Sequence, residues 1–286
     1  MGSLWMLAAG AGFALMSVFV KLGSATFSSQ ELVFWRSLIG MGFVLAMLAM
    51  RPARRVRQLV EGGHLMLHFR RSLIGFIALL AFFYAIARLP VSVAITLNYT
   101  SPLFLALLMP FWLHERPHPA HYISVAFGFV GVVLMLQPWH EESDLVAGLA
   151  GLFSGFLAAL AYIHVRQLGR LHEPEWRTVF WFAMVGTLGA ALFTTATGWN
   201  IPRSGDLPLL FALGAAATVG QLGMTRAYRR GKTVVVASLA YSTVVFGSLL
   251  DALIWKVELS PVAWAGIGIT VCAGIWAVLL ENKEKT

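Results

Sequence analysis

Long apolar runs, separated by short polar stretches, fill most of this chain. Most approach the roughly 20 residues that a helix needs to cross about 30 Å of hydrocarbon. None shows the period-two alternation of a strand. The pattern predicts an all-α polytopic membrane protein with ten transmembrane helices, the short third and fifth extending into their flanks. The runs are approximately 4–22, 32–50, 72–87, 91–113, 123–137, 145–165, 179–197, 207–227, 234–255 and 263–280.

The ten runs form two similar sets of five. A shift of 143 residues, half of the 286-residue chain, places Trp112 on Trp255 and Glu115 on Glu258. Weak internal repeats in a very apolar chain are typical of secondary transporters. We therefore predict two five-helix repeats, the first over 1–143 and the second over 144–286. Because five is an odd number of spans, the second repeat must be inverted relative to the first.

Basic residues concentrate on one side of the predicted helices. Of the 21 Lys and Arg residues, we place 16 in loops and tails on one side, 4 on the other, and Arg36 within the second run. The loop before the third run contributes six of the 16, including Arg70 and Arg71. By the positive-inside rule, the richer side is cytoplasmic. We expect a multi-pass protein of the cell inner (plasma) membrane with both termini in the cytoplasm.

Composition agrees with a membrane location. Hydrophobic residues make up 58% of the chain, charged residues only 12%, and mean hydropathy is +0.76, whereas soluble domains carry about 25% charged residues. The net charge of +8 belongs to loops that face anionic lipid, so membrane lipids and not nucleic acid are the expected polyanionic partners. The single cysteine, Cys272, offers neither a disulfide nor metal-ligand spacing. We expect no cofactor and no metal.

Several motifs resemble the EamA family of the drug/metabolite transporter (DMT) superfamily. They are LHERP around Glu115, KVELS around Glu258, ELVFWRSLIG around Arg36, and LPVSVAITLNYTSPLF in the fourth run. The resemblance covers essentially the whole chain and implies a solute carrier with a central cavity between two halves. It also implies that Arg36 is the buried arginine usual in the family's second helix. The first run, WMLAAGAGFALMSVFVKL, lacks the glutamate with which small multidrug-resistance relatives exchange protons, so coupling by that route is not available.

Polar residues cluster in the fourth and ninth runs, at equivalent places in the two repeats. Polar groups in lipid must find partners, and a cavity with amide, hydroxyl and aromatic groups suits a small amphipathic solute. Hydrogen bonding between helices is the alternative. Asn98 and Tyr241 are equivalent under the 143-residue shift, which favours the cavity. The leading candidates for substrate contact are Asn98, Tyr99 and Tyr241, and Thr96 is a further candidate from the same cluster.

Other polar residues within the runs are secondary candidates. Arg36 either binds an anionic group in the cavity or pairs with Glu31 near the outer interface, because a charge in the bilayer is costly. Asp251 is either a proton or cation coupling site or a partner of Lys256 or Arg203. The remaining candidates for lining a pathway are Tyr84, Tyr162 and Gln221.

These observations favour a secondary transporter that exports a small organic metabolite, such as an amino acid or similar amphipathic solute, by alternating access. A polytopic membrane enzyme acting on lipid or an isoprenoid-linked substrate is the alternative. Such an enzyme needs a constellation of acids, histidines or metal ligands near an interface, and the sequence offers none that stands out. A scaffold without transport activity is a third hypothesis. We expect a monomer, with a dimer left open.

Overall fold

The computed structural model describes residues 2–50, 64–86, 88, 91–137, 144–256 and 258–283. Within these ranges the protein is helical, and ten stretches are long and apolar enough to cross a membrane, which confirms the predicted fold class. The fourth span consists of α4 and α5, and the ninth of α10 and α11. The helices are α1 (Trp5–Gly23), α2 (Ser29–Ala49), α3 (Leu65–Ile86), α4 (Val91–Asn98), α5 (Ser101–Trp112), α6 (Pro119–Leu136), α7 (Leu145–Arg170), α8 (Glu175–Thr197), α9 (Leu207–Arg230), α10 (Thr233–Ala240), α11 (Ser242–Trp255) and α12 (Pro261–Lys283).

The third span differs most from its predicted run. Helix α3 begins at Leu65, so Arg70 and Arg71 lie inside the helix and their assignment to a loop was wrong. Arg70 is exposed, whereas Arg71 is buried. An apolar run ends at the first charged pair, but a helix continues through charges that reach water or a protein interior. The predicted repeat boundary at residue 143 lies outside the described residues.

Local capping explains where two of the spans begin. Ser28 and Glu31 form a capping box before α2, in which the Ser28 N–H donates to Glu31 Oε2 at 2.7 Å and the Glu31 N–H donates to Ser28 Oγ at 3.3 Å. Asp144 Oδ1 accepts hydrogen bonds from the N–H groups of Val146 and Ala147 at the start of α7. These bonds satisfy N–H groups that have no partner within the helix.

Helix packing has the symmetry expected of two equivalent halves. Exchanging spans one to five with spans six to ten converts the α1–α9 contact into α7–α3, the α2–α9 contact into α8–α3, and the α1–α11 contact into α7–α5, and all six contacts exist. The α2–α8 and α6–α12 contacts convert into themselves. Such self-complementary packing is the sign of two-fold symmetry. With five spans in each half, it is the arrangement of an inverted repeat.

Both halves interrupt the fourth of their five spans at the same place. Helix α4 ends at Asn98 before α5 begins, and α10 ends at Ala240 before α11 begins. Pro102 lacks the N–H that would donate to the Asn98 carbonyl, which accounts for the first break. Glycines let neighbouring helices approach both breaks closely. An added Cβ would lie 2.8 Å from the Leu97 carbonyl oxygen at Gly155, and 2.7 Å from Ser242 Oγ at Gly10.

Candidate functional site

A small cavity lies between the two halves, where α2 of the first meets α8 and α9 of the second. Under the 143-residue shift Arg36 corresponds to Val179, and Gly40 to Ala183, so the cavity contains equivalent positions of both halves. Its volume of about 20 Å³ is the room that one water molecule needs. An organic solute therefore enters only if the helices separate. The lining residues are Arg36, Ser37, Gly40, Val179, Phe182, Ala183, Ala217, Thr218 and Gln221.

Arg36 is one of the residues that line this cavity, and only 8% of its surface is exposed. Its Nη1 donates to Met16 Sδ at 3.6 Å, and its Cζ lies 5.8 Å from the Phe182 ring centroid. The alternative partner, Glu31, is engaged elsewhere. Besides Ser28, it accepts from the backbone N–H of Asn200 and from Asn200 Nδ2 at 3.0 Å. The structure therefore places Arg36 at the cavity and not in a pair at the interface.

Arg71 is a second buried cation that sequence reasoning missed, with 3% of its surface exposed. Its Cζ lies 4.0 Å from the Phe182 ring centroid, and its Nη2 donates to Gln221 Oε1 at 3.3 Å. Phe182 and Gln221 both line the cavity, so they hold Arg71 directly behind its wall. Gly75, one turn along α3, leaves room for this arrangement, because an added Cβ would lie 3.2 Å from the Phe182 ring and 3.6 Å from Arg71 Nη1.

The two guanidinium groups form an uncompensated positive region. Their Cζ atoms are no more than 9.8 Å apart, the sum of their distances to the Phe182 centroid. At an effective dielectric constant of about 20, this separation corresponds to a repulsion of at least about 1.7 kcal/mol. Among the residues that the structure describes, no carboxylate lies within ion-pair distance of Arg36 or Arg71. The Nε and Nη1 groups of Arg71 also have no hydrogen-bond acceptor there.

The candidates around the two helix breaks separate into two groups. Asn98 Nδ2 donates to Ser154 Oγ of α7 at 3.0 Å, which is a contact between packed helices. Tyr99 and Tyr241 come together, with ring centroids 6.4 Å apart and planes tilted by 36°. Tyr241 is fully buried, and its hydroxyl has no hydrogen-bond partner in the described part of the chain. Thr96 is buried one turn before Tyr99.

Tyr162 forms an aromatic pair with Tyr228, a residue that sequence reasoning did not select. Their rings stack with centroids 5.3 Å apart and an angle of 18°. Tyr228 is fully buried, and its hydroxyl lacks a hydrogen-bond partner among the described residues. Tyr162 is also close enough to Arg71 for an electrostatic interaction. Tyr228 was overlooked because the eighth apolar run ends one residue before it, next to Arg229 and Arg230.

Tyr84 and Asp251 lie away from the cavity. Tyr84 is exposed and stacks with Arg88, whose Cζ lies 4.0 Å from the ring centroid. Asp251 Oδ1 lies 3.7 Å from Lys21 Nζ, with 47% of the aspartate and 53% of the lysine side chain exposed. The partner of Asp251 in the structure is thus Lys21 and not Lys256 or Arg203. Lys21 Nζ also lies 3.9 Å above the Trp255 ring.

Charged side chains at the opposite helix ends form paired clusters. Glu115 Oε1 accepts from Arg166 Nε at 2.8 Å and from Arg170 Nη2 at 2.6 Å. Burial raises the pKa of this carboxyl, while neighbouring Thr233 and the two guanidinium groups lower it and prevail, so the pKa lies below its ordinary value. Arg166 Nη1 also donates to backbone carbonyls at the end of α9. The cluster joins the fourth span to α7 and α9 across the two halves.

A second paired cluster joins α3 to the start of α8. Glu173 Oε2 lies 3.2 Å from His68 Nε2 and 3.0 Å from Arg177 Nη1. His68 is fully buried, and both Glu173 and Arg177 are almost so. Sequence reasoning did not select His68, Glu173 or Arg177 as candidate functional residues. The partnership depends on which helices are neighbours, and the apolar pattern carries no such information.

Nearly the whole chain is similar in sequence to known transporters. The model of the EamA-like transporter family matches residues 1–137 and 145–280. An uncharacterized transporter of Helicobacter pylori is 31% identical over 95% of this chain and 94% of that protein. The pseudopaline exporter CntI of Pseudomonas aeruginosa is 33% identical over 92% and 90%. A riboflavin transporter of Rhizobium johnstonii is 25% identical over 99% and 93%.

A solved crystal structure shares the same fold. It is 20% identical in sequence, covers 98% of this chain and 99% of its own, and superposes with a TM-score of 0.79. The family match covers both halves, and the named relatives are transporters. The protein is therefore a multi-pass membrane transporter and not an enzyme, which rules out the enzyme alternative, and it belongs to the EamA-like transporter family.

Proposed function

We propose that this protein is an inner-membrane secondary transporter that exports a small organic metabolite by alternating access. The observation that carries the proposal is the cationic cavity between two pseudo-symmetric halves. Symmetric halves meeting at a central site supply the two conformations that alternating access needs. The pseudopaline exporter, 33% identical over 92% of this chain, supports the outward direction. The halves 1–143 and 144–286 are the proposed moving units.

The proposed binding site combines the cavity with the two helix breaks. Arg36 and Gln221 supply charge and hydrogen bonding from the cavity wall, and Tyr99 and Tyr241 supply aromatic faces where α4 and α10 end. Interrupted helices at mid-membrane depth are typical of substrate sites in transporters. The remaining proposed contacts along the pathway are Thr96, Asn98, Tyr84 and Tyr162. Asp251, paired with Lys21, is the proposed coupling residue.

Contacts between the halves give the transport cycle its proposed gates. With both termini in the cytoplasm, Glu31–Asn200 and Lys21–Asp251 lie at the outer side. The clusters around Glu115 and Glu173 lie at the inner side. In this conformation both sets of contacts are formed and the cavity is small, so the state is occluded. Export then requires the inner contacts to break for loading and the outer contacts to break for release.

A plug variant tests the proposed site. Ala183→Phe on α8 places a ring in a cavity of about 20 Å³ and should abolish flux from proteoliposomes loaded with a mixture of labelled amino acids and related metabolites. Leu192→Phe is the matched control, because Leu192 lies on the same helix with 73% of its surface exposed toward lipid. Equal flux through both variants would remove the cavity from the pathway. No flux through the wild-type protein would refute transport of these solutes.

Cysteine labelling tests the proposed orientation. In a Cys272→Ser background, a cysteine at Arg55 should resist a membrane-impermeant thiol reagent in intact cells. A cysteine at Ser143 should react. Both positions lie between apolar runs of the sequence. The reverse labelling would place the termini on the outer side of the membrane.

A further inference from the structure

We propose that the transported solute carries two carboxylates, which bind between Arg36 and Arg71. This inference rests on the proposed function and names the substrate class of the same site. It assigns Arg71 as a substrate-binding residue, in addition to the cavity residues named above. Three features support it: the unbalanced charge, the unused hydrogen-bond donors and the restrained position of Arg71.

The charge balance points to an anionic ligand. Three arginines in the described part of the chain are buried: Arg36, Arg71 and Arg177. Only Arg177 has a carboxylate partner there, Glu173, at 3.0 Å. A buried ion is costly unless it is paired. Two positive charges that meet no carboxylate among the described residues are balanced by a ligand that brings two negative ones.

The hydrogen-bond donors point to the same chemistry. The Arg71 Nε and Nη1 groups carry three N–H bonds and have no acceptor among the described residues. Charge-assisted bonds from guanidinium to carboxylate are among the stronger hydrogen bonds in proteins. A carboxylate would accept these hydrogen bonds and offset the positive charge together, whereas a neutral acceptor would leave the charge unbalanced.

The surroundings of Arg71 hold its guanidinium in place before any ligand arrives. The group stacks 4.0 Å from the Phe182 centroid on one side and donates to Gln221 at 3.3 Å on another. Restraint before binding reduces the ordering cost that binding incurs. Phe182 and Gln221 line the cavity, so a modest expansion brings Arg71 to its surface.

The spacing of the cations limits the length of the ligand. The two Cζ atoms are at most 9.8 Å apart. Carboxylate oxygens lie about 2.7–2.9 Å from the nitrogens that bind them, so a short carbon chain spans the remaining distance. A linear dicarboxylate of three to six carbons, malonate to adipate, is the simplest probe of this geometry.

Thermal unfolding of the purified full-length protein in detergent tests the proposal. Malonate, succinate, glutarate and adipate are titrated at constant ionic strength, beside butyrate, the neutral diamide of glutarate and a phosphate monoester. At least one dicarboxylate should raise the melting temperature saturably, because a ligand that binds the folded state stabilises it. Butyrate should bind at least tenfold more weakly, and the diamide should have no effect. Equal shifts with the diamide, or none with any dicarboxylate, would overturn the proposal, as would a response to a phosphate monoester alone.

Variants identify which arginine is responsible. Arg71→Gln should weaken dicarboxylate binding tenfold or more, whereas Arg230→Gln removes the same charge from an exposed helix end and should leave binding unchanged. If Arg71→Gln does not fold, Arg71→Lys and Arg36→Gln carry the same test, with partial and full loss expected. Normal binding by the Arg71 variants would exclude Arg71 from the site. Flux of neutral solutes without any dicarboxylate response would refute this inference and leave the proposed transport intact, whereas absence of all flux would refute transport itself.

Discussion

Arg177 and Arg71 are both almost fully buried, at 4% and 3% exposure, yet their surroundings are opposite. Arg177 lies 3.0 Å from the carboxylate of Glu173, which also contacts His68. Arg71 meets an aromatic ring and an amide oxygen but no carboxylate among the described residues. The first environment neutralises its charge within the protein, as a structural cluster does. The second leaves a charge whose burial the protein alone does not offset, which is typical of intramembrane functional sites.

The two environments also differ in position. The Arg177 cluster lies where α8 begins and joins the two halves at the proposed inner gate, with the Glu115 cluster joining them on the same side. Arg71 lies on α3 three residues after His68 of that cluster and contacts Phe182, which lines the cavity. Paired charges thus hold the halves together at their ends, and unpaired charges face the space between them. We therefore expect substitutions in the Arg177 cluster to change mainly stability, and substitutions of Arg71 to change mainly transport.

We expect the largest change in the free energy of unfolding when the paired arginine, Arg177, is replaced. Among the described residues, Arg177→Gln leaves the buried Glu173 with only His68 for neutralisation, and breaking one side of a buried pair costs about 3–5 kcal/mol. Chemical denaturation in detergent should show this loss in the free energy of unfolding. Arg229→Gln, which removes a less buried partner of Glu175 at 3.3 Å, should cost less than about 1 kcal/mol. Similar costs for both would show that the Glu173 cluster is no stronger than a surface ion pair.

Replacing the unpaired arginine, Arg71, should instead increase the free energy of unfolding. Arg71→Met removes one of two repelling buried cations while keeping apolar contact with Phe182, and the lost hydrogen bond to Gln221 offsets only part of the gain. We expect the ligand-free protein to become more stable by about 1–2 kcal/mol. The same denaturation series measures it. A destabilisation comparable to that of Arg177→Gln would mean that Arg71 is a structural residue.

The sequence predicted the fold because hydrophobicity and length constrain a membrane helix strongly, and the repeat followed from residues such as Trp112 and Trp255. The site was harder, because charged residues near helix ends look like loop residues in a linear pattern. Arg71 was placed in a loop on those grounds, although the shortness of the third run was a signal that the helix extended past it. Arg36 was recognisable because apolar residues surround it on both sides.

Residue partners could not be predicted from the sequence either. Asp251 pairs with Lys21 because α1 packs against α11, and a pattern along one chain does not state which helices are adjacent. Asn98 and Tyr241 are equivalent in the repeat, yet Asn98 contacts α7 whereas Tyr241 packs with Tyr99. Equivalent positions in two repeats therefore need not have equivalent contacts, since the two sequences have diverged around them.

Asn98→Ala separates helix packing from substrate contact. The variant loses the hydrogen bond to Ser154, and Ser154 keeps its own bond to the Gly151 carbonyl, so the free energy of unfolding should fall by only about 1 kcal/mol. If Asn98 also contacts the solute, flux should fall strongly in folded, reconstituted protein. Wild-type flux in a variant that is destabilised by this amount would assign Asn98 to packing alone.

Tyr241→Phe should have the smallest effect on stability and a selective effect on transport. The hydroxyl is buried with no hydrogen-bond partner in the described structure, so removing it should leave the free energy of unfolding unchanged or raise it by up to about 1 kcal/mol. If the solute accepts or donates a bond there, apparent affinity should fall roughly five- to hundred-fold, as the concentration dependence of flux would show. Tyr228→Phe removes a hydroxyl that is equally buried and unpartnered but stacked on Tyr162, and it should change neither quantity. Unchanged affinity in Tyr241→Phe would remove the ninth-span break from the binding site, whereas equal losses in both variants would add Tyr228, which stacks on the proposed contact Tyr162, to the site.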